Sequence, residues 1–228
     1  MRYPNVTPAV FLSRPNRFVA QVLLEGEVIT VHVKNTGRCR ELLLPGAQVW
    51  LTKSTNPNRK TAYDLIAVQK GARLINMDAQ APNQVFYEWA AAGHFVPQLT
   101  LLKPECRHGD SRFDFYWEAG PRKGFVEVKG VTLERDGAAY FPDAPTQRGI
   151  KHLHGLTDSL AQGYEGAVCF VIQMEQADFF APNGHTHPAF GQALRQAAQA
   201  GVAVLARCCT VTPDSLTLGE AVPVRLSP

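Results

Sequence analysis

The chain has 228 residues, enough to bury one sizeable core or two modest ones. With 45% apolar and 19% charged residues, it is neither a disordered nor a fibrous polymer. A formal net charge of +3 is too small to identify a polyanionic partner unless the basic residues cluster. Prolines and arginines interrupt the first eighteen residues, and no later apolar run reaches membrane-spanning length, so neither export nor membrane insertion is expected. The five cysteines form no CxxC pattern, which suits a reducing compartment. A cytoplasmic location is expected, with association with the nucleoid left open.

From Arg17 to Asn76 the pattern is strand-like: residues 18–24, a turn at Glu25-Gly26-Glu27, then 28–33, 47–51, 62–69 and 72–75. Five short strands in one such stretch predict a small, closed or nearly closed barrel of the OB type. The polar stretch Asn76 to Asn83 is the expected junction, giving a barrel over 1–80 and a second domain over 81–228. Beyond it, Asn83 to Gly93 reads as a helix with an Asn cap and a Gly terminator. Strand signals follow at 95–102, 111–117 and 125–131, the last two joined by a turn at 120–124. Thr146 can cap a helix running to Gly163, with Ile150, Leu153, Leu156 and Leu160 on one face. Residues 167–173 look like a strand buried on both faces, as parallel central strands are. A helix from Gln192 to Gly201 and another buried strand at 202–208 complete a mixed α/β domain.

Chemistry concentrates on the hairpin. Alternation puts Glu127 and Lys129 on one strand face, and Asp114 lies where its carboxylate could approach that of Glu127. Two converging acids in a helix-flanked sheet need a cation or hydrogen-bond partners. Mg²⁺, or Mn²⁺ in its place, suits such an oxygen-rich site, and phosphodiester hydrolysis uses these parts, with Lys129 handling the attacking water. A solvent-facing hairpin carrying an ordinary Glu127–Lys129 surface pair would show the same spacing. The wider order, an acid on the preceding helix (Glu88), the hairpin, then a helix with Arg148, Lys151 and His152, resembles the αβββαβ core of PD-(D/E)XK nucleases. That resemblance implies catalytic roles for Asp114, Glu127 and Lys129 and an accessory one for Glu88.

Longer stretches carry a closer resemblance: Asn35 to Arg38, Ser111 to Asp114, Val126 to Lys129, Val131 to Leu133, Tyr140 to Ala144, Thr146 to Gly149 and Lys151 to Leu153. Together they resemble the sugar fermentation stimulation protein A (SfsA) family of bacteria and archaea. The resemblance implies an N-terminal OB-like domain, a nuclease-like α/β domain and DNA binding without strong sequence preference. Gly155 and Gly130 stand where that pattern leads one to expect an acidic and a small polar residue. Arg38, Arg59, Lys60, Arg148, Lys151 and His152 are the candidate nucleic-acid contacts, although Asn35 to Gly37 could simply be a turn, Arg59 and Lys60 solvated, and His152 structural. The expected partner is DNA, with RNA and a homodimeric state left open. The expected activity is that of a metal-dependent nuclease; the alternative is a non-catalytic DNA-binding regulator of sugar (maltose-type) catabolism genes.

Overall fold

The computed structural model describes residues 1–35 and 37–226, and its first strand is one that the sequence pattern did not predict. β1 (Val6–Asn16) is followed by β2 (Val19–Leu24), β3 (Glu27–Val33), β4 (Gln48–Lys53), β5 (Tyr63–Lys70) and β6 (Arg73–Asn76). Their order is β3-β2-β1-β4-β5-β6, and a parallel β3–β5 pairing at His32↔Asp64 and Val33↔Leu65 closes the first five into a barrel. Alternation drives the closure: Phe11, Ala20, Val22, Val31, Val33, Val49 and Leu51 are buried. The expected barrel is present, but its fifth member is β1, while β6 hangs outside the ring on β5. Pro8 hid β1 in the sequence. It is tolerated because pairing with β2 begins only at Val10, so this part of β1 pairs with β4 alone.

The second domain consists of α1 (Ala81–Trp89), β7 (Leu101–His108), β8 (Ser111–Ala119), β9 (Arg122–Val131), β10 (Leu133–Arg135), β11 (Ala138–Phe141), α2 (Gln147–Leu160), β12 (Glu165–Ile172), β13 (Phe180–Pro182), α3 (Pro188–Ala200), β14 (Ala203–Thr212) and β15 (Ser215–Ala221). Its main sheet runs β15-β14-β12-β9-β8-β7, with β12 parallel to both β9 and β14. α1 packs Val85 and Phe86 with Phe115, Trp117, Val126 and Val128 on one face. On the other, α2 and α3 bring Leu153, Leu156 and Leu194 to Phe113, Phe125 and Val168. No helix among the described residues is long and apolar enough to cross a membrane.

Several local expectations change. α1 starts at Ala81 with Pro82 in its first turn, so Asn83 is a helix residue and not the cap. Gly93, with φ 86°, does interrupt the helical path, within a wide turn at Ala90–His94. The strand expected at 95–102 is β7, which starts at Leu101 and runs to His108. Thr146 caps α2, its hydroxyl accepting from Gly149 N at 3.0 Å. α3 starts at Pro188, four residues before Gln192. β14 is only partly buried, and β15 returns beside it as a hairpin.

The predicted junction is a buried seam. Asn76 and Asp78 are 1% and 2% exposed, and Gln173 donates to Asn76 Oδ1 and Asp78 O at 2.9 Å. Lys34 reaches Asp78 from the barrel, and Lys70 reaches Glu134 on β10. The chain start also crosses the seam: Met1 N donates to Glu88 and to Leu216 O, and Tyr3 N to Asp214 O. Met1 and Tyr3 therefore contact the α/β domain although the sequence reading placed them with the barrel, whereas Pro4 O and Asn5 O accept from Thr52 and Lys53 of β4.

Candidate active site

β8 and β9 pair from Ala119↔Arg122 to Phe115↔Val126, while β9 stays paired with β12 as far as Ile172↔Val131. The two strands fork beyond Val126. At the fork, Ser111 and Phe113 lie against Gly155 of α2, whereas Phe115 and Trp117 belong to the α1 face. Residues two apart on one strand share a face only while alternation holds, so it slips at Asp114. Across from Asp114, between the pairs Pro104↔Phe115 and Cys106↔Phe113, Glu105 has a left-handed backbone with φ 55°. Asp114 Oδ2 then accepts from Val128 N at 2.7 Å, replacing a ladder bond that β8 no longer supplies, and Oδ1 accepts from Asn83 Nδ2 at 2.9 Å.

Glu127 is 2% exposed. Its Oε1 accepts from Lys129 Nζ and from His152 Nδ1, and its buried Oε2 has no hydrogen-bond partner among the described residues. Arg148 Nε donates to His152 Nε2 at 3.4 Å, which leaves the His152 proton on Nδ1, facing Glu127. The environments push the two acids apart. Burial raises the Asp114 pKa, and the Glu127 charge raises it further, against the Val128 N–H, Lys129 and Asn83. At Glu127 burial also acts upward, but the His152 bond and the Lys129 charge and bond outweigh it, and the pKa falls.

This arrangement fits an oxygen-seeking divalent cation. An ionised carboxylate oxygen left unpartnered in a buried position is costly, and a cation would relieve that cost at Glu127 and the mutual repulsion at Asp114. Among the described residues no three His, Cys, Asp or Glu side chains cluster as ligands. The protein would thus supply one or two carboxylates, the number from which Mg²⁺ is commonly bound alongside water and phosphate oxygens.

The other predicted site residues separate. Glu88 is not brought to this cluster: its carboxylate is taken by the Met1 ammonium at 2.7 Å and by Gln84, and the helical side chain that reaches Asp114 is Asn83. His152, expected as a phosphate contact, is 5% exposed and bonded through both ring nitrogens, so it positions Glu127. Arg59 forms a two-bond ion pair with Asp64, which also holds His32; its guanidinium is structural. Lys60, Arg38, Arg148 and Lys151 are exposed. Lys151 borders a separate cleft beside Ser111 and His154. Asn35 Oδ1 accepts from Gly37 N at 2.8 Å, the hydrogen bond of an Asx turn, while Thr36 lies outside the described residues.

Gly155 and Gly130 both stand in tight surroundings. A Cβ at Gly155 would overlap Ser111 Oγ, and one at Gly130 would lie 2.5 Å from Gln173 Oε1 and 2.8 Å from Pro82. Asp143 accepts from Cys39 N at 3.0 Å and ties the Phe141 to Ala144 loop to the barrel. Between the domains a cleft of about 330 Å³ is lined by Arg17, Asn35 and Gly37 on one side and Gly130, Tyr140 and Thr146 on the other. Gly130, the residue after Lys129 in the chain, is part of its wall. The sequence reading passed over Arg17 because β1, which ends just before it, was not recognised, and with it the hairpin that Arg17 turns.

The chain matches two family models: the SfsA N-terminal OB domain over residues 12–77 and the sugar fermentation stimulation protein RE domain over residues 80–215. It is 56% identical over 226 residues to a sugar fermentation stimulation protein homolog of Desulfitobacterium hafniense (strain Y51), covering 99% of both chains. With the homolog of Ruminiclostridium cellulolyticum it shares 50% identity, over 99% of this chain and all of the other. Among solved structures it resembles that of Pyrococcus furiosus SfsA in complex with Ca²⁺, with a TM-score of 0.90, 25% identity and coverage of 99% and 98% of the two chains.

Proposed function

The chain belongs to the sugar fermentation stimulation protein (SfsA) family, and on that premise we propose that it binds nucleic acid across the interdomain cleft and hydrolyses phosphodiester bonds with Mg²⁺ or Mn²⁺. The carrying observation is Glu127: a buried carboxylate with one oxygen held by Lys129 and His152 and the other unpartnered. Asp114 and Glu127 would hold the cation. When bound, the cation polarises the phosphoryl oxygen and stabilises the leaving oxygen. That the Pyrococcus furiosus relative was solved with Ca²⁺, a cation that also takes oxygen ligands, supports this reading.

The chain's own residues divide the remaining work. Lys129 Nζ gives one N–H to Glu127 and keeps two for a water or a phosphate oxygen, so it orients the nucleophile and balances negative charge as the bond to phosphorus forms. His152 fixes the Glu127 rotamer, and Arg148 behind it points the remaining guanidinium donors toward solvent, where a phosphate backbone would pass. Asn83 and Val128 N hold Asp114 in one orientation.

Incubating the purified chain with labelled single- and double-stranded DNA and RNA, in Mg²⁺, Mn²⁺ or EDTA, tests the proposal. Cleavage should need the metal and disappear in Glu127→Gln while binding remains. Binding with no cleavage of any substrate would overturn the catalytic reading and leave the non-catalytic regulator of sugar-catabolism genes.

A further inference from the structure

The tip of the β1–β2 hairpin is a two-residue turn, Arg17-Phe18, between the paired residues Asn16 and Val19. Phe18 is 58% exposed, among the most exposed large apolar side chains described. Its backbone is nevertheless fixed: Asn16 Oδ1 accepts from Phe18 N at 2.8 Å and from Val19 N at 3.2 Å, and Phe18 O accepts from Val33 N at 2.8 Å. A rigid turn thus presents an aromatic ring to water, where it contributes nothing to the core.

Arg17, the other residue of the turn, belongs to a basic cluster. Arg14 donates to four carbonyls, those of Gly37, Arg38, Arg17 and Asn35, at 3.0, 2.9, 2.9 and 2.6 Å. This clamp joins the hairpin tip to the segment after β3. It occupies the Arg14 guanidinium while leaving Arg17, Arg38 and Arg40 exposed around a hollow of about 510 Å³. Arg17 and Gly37 line both this hollow and the interdomain cleft, whose opposite wall includes Gly130, next to Lys129 in the chain.

We propose that this tip grips single-stranded nucleic acid: Phe18 stacks on an unpaired base, Arg17, Arg38 and Arg40 take the neighbouring phosphates, and the strand runs down the cleft toward Lys129. The inference rests on the nucleic-acid reading above and adds the strandedness of the substrate and a stacking residue. A base inside a duplex has both faces covered, so an aromatic platform discriminates in favour of unpaired bases, whereas guanidinium–phosphate contacts serve either form.

The test compares the full-length parent, Phe18→Ala and Phe18→Trp for binding to a single-stranded oligonucleotide and to the corresponding duplex, by fluorescence anisotropy in EDTA so that no substrate is cut. Phe18→Ala should weaken single-strand binding by roughly 5- to 150-fold, the span measured for loss of one base–aromatic stack, and leave duplex binding within about two-fold. Phe18→Trp should retain single-strand affinity. An Ala variant that binds the single strand like the parent, or that loses single strand and duplex equally, overturns the stacking proposal while nucleic-acid binding stands. A parent that binds neither form overturns both this inference and the nucleic-acid reading.

Discussion

His152 Nδ1 donates to Oε1 of Glu127, so α2 is tied to β9 through the carboxylate on which the proposed chemistry depends. Both partners are buried, and the same oxygen also takes Lys129. His152→Ala should lower the unfolding free energy by about 1.5–3 kcal/mol, the range for a lost hydrogen bond to a charged group. Cleavage should fall further than binding, because Glu127 would be free to rotate. Urea titration and single-turnover cleavage of the same preparation check this. A variant of parental stability and rate would show that His152 positions nothing.

Two substitutions at Asp114 separate its structural from its catalytic part. In Asp114→Asn the side-chain oxygen can still accept from Val128 N, so the fold should survive while metal-dependent cleavage is lost. Asp114→Ala leaves that amide without a partner, which should cost a further 1–3 kcal/mol, roughly, for a buried unsatisfied donor. Equal stability of the two variants in urea would mean that the Val128 bond has no bearing on the fork.

Cation binding should depend on pH through Asp114. Its folded pKa is raised by burial and by Glu127, and only the ionised form binds metal, so Mn²⁺ affinity should fall as pH drops through a window above the usual aspartate value. In metal-free buffer the two acids act oppositely on stability. Glu127, with its pKa lowered, contributes stability above its unfolded pKa that is lost as pH falls through its folded value. Asp114, with its pKa raised, contributes stability in acid that is lost as pH rises through its folded value. Asp114→Asn should therefore gain on the parent as pH rises toward neutrality. Calorimetric Mn²⁺ titrations and urea midpoints across the acid range decide it; a parent whose Mn²⁺ affinity is flat down to the ordinary carboxylate range excludes Asp114 as a ligand.

Salt dependence should sort the arginines. Removing a guanidinium that contacts phosphate reduces the slope of log affinity against log salt by about one. Arg38→Ala should do so, because its side chain is exposed at the hollow that Arg17 also lines. Arg59→Ala should leave the slope unchanged and lower stability instead, since its two bonds to Asp64 already use its fork. The opposite result for both residues in DNA titrations over a salt series would reject this division.

Much of this protein was legible in local pattern. Period-two alternation located four of the five strands that close the barrel, and the Thr146 cap and the three- and four-residue spacing of Ile150, Leu153, Leu156 and Leu160 located α2. An unbroken apolar run marked β12 as the parallel strand at the centre of the sheet. These signals survive without tertiary information because each belongs to a backbone whose repeat the residues themselves set. The acids were legible too, as residue types at a spacing.

What those acids touch was decided by the folded chain. Nothing near Glu88 in sequence says that the amino terminus will reach it, nor does anything near Lys70 say that Glu134 will pair with it. Asn83 and His152 became partners of Asp114 and Glu127 only because α1 and α2 close on opposite faces of the same fork. Composition and repeat fix which face of a strand or helix is buried. Which charge meets which depends on contacts between residues far apart in the chain, and these form only when the layers pack and water is excluded between them.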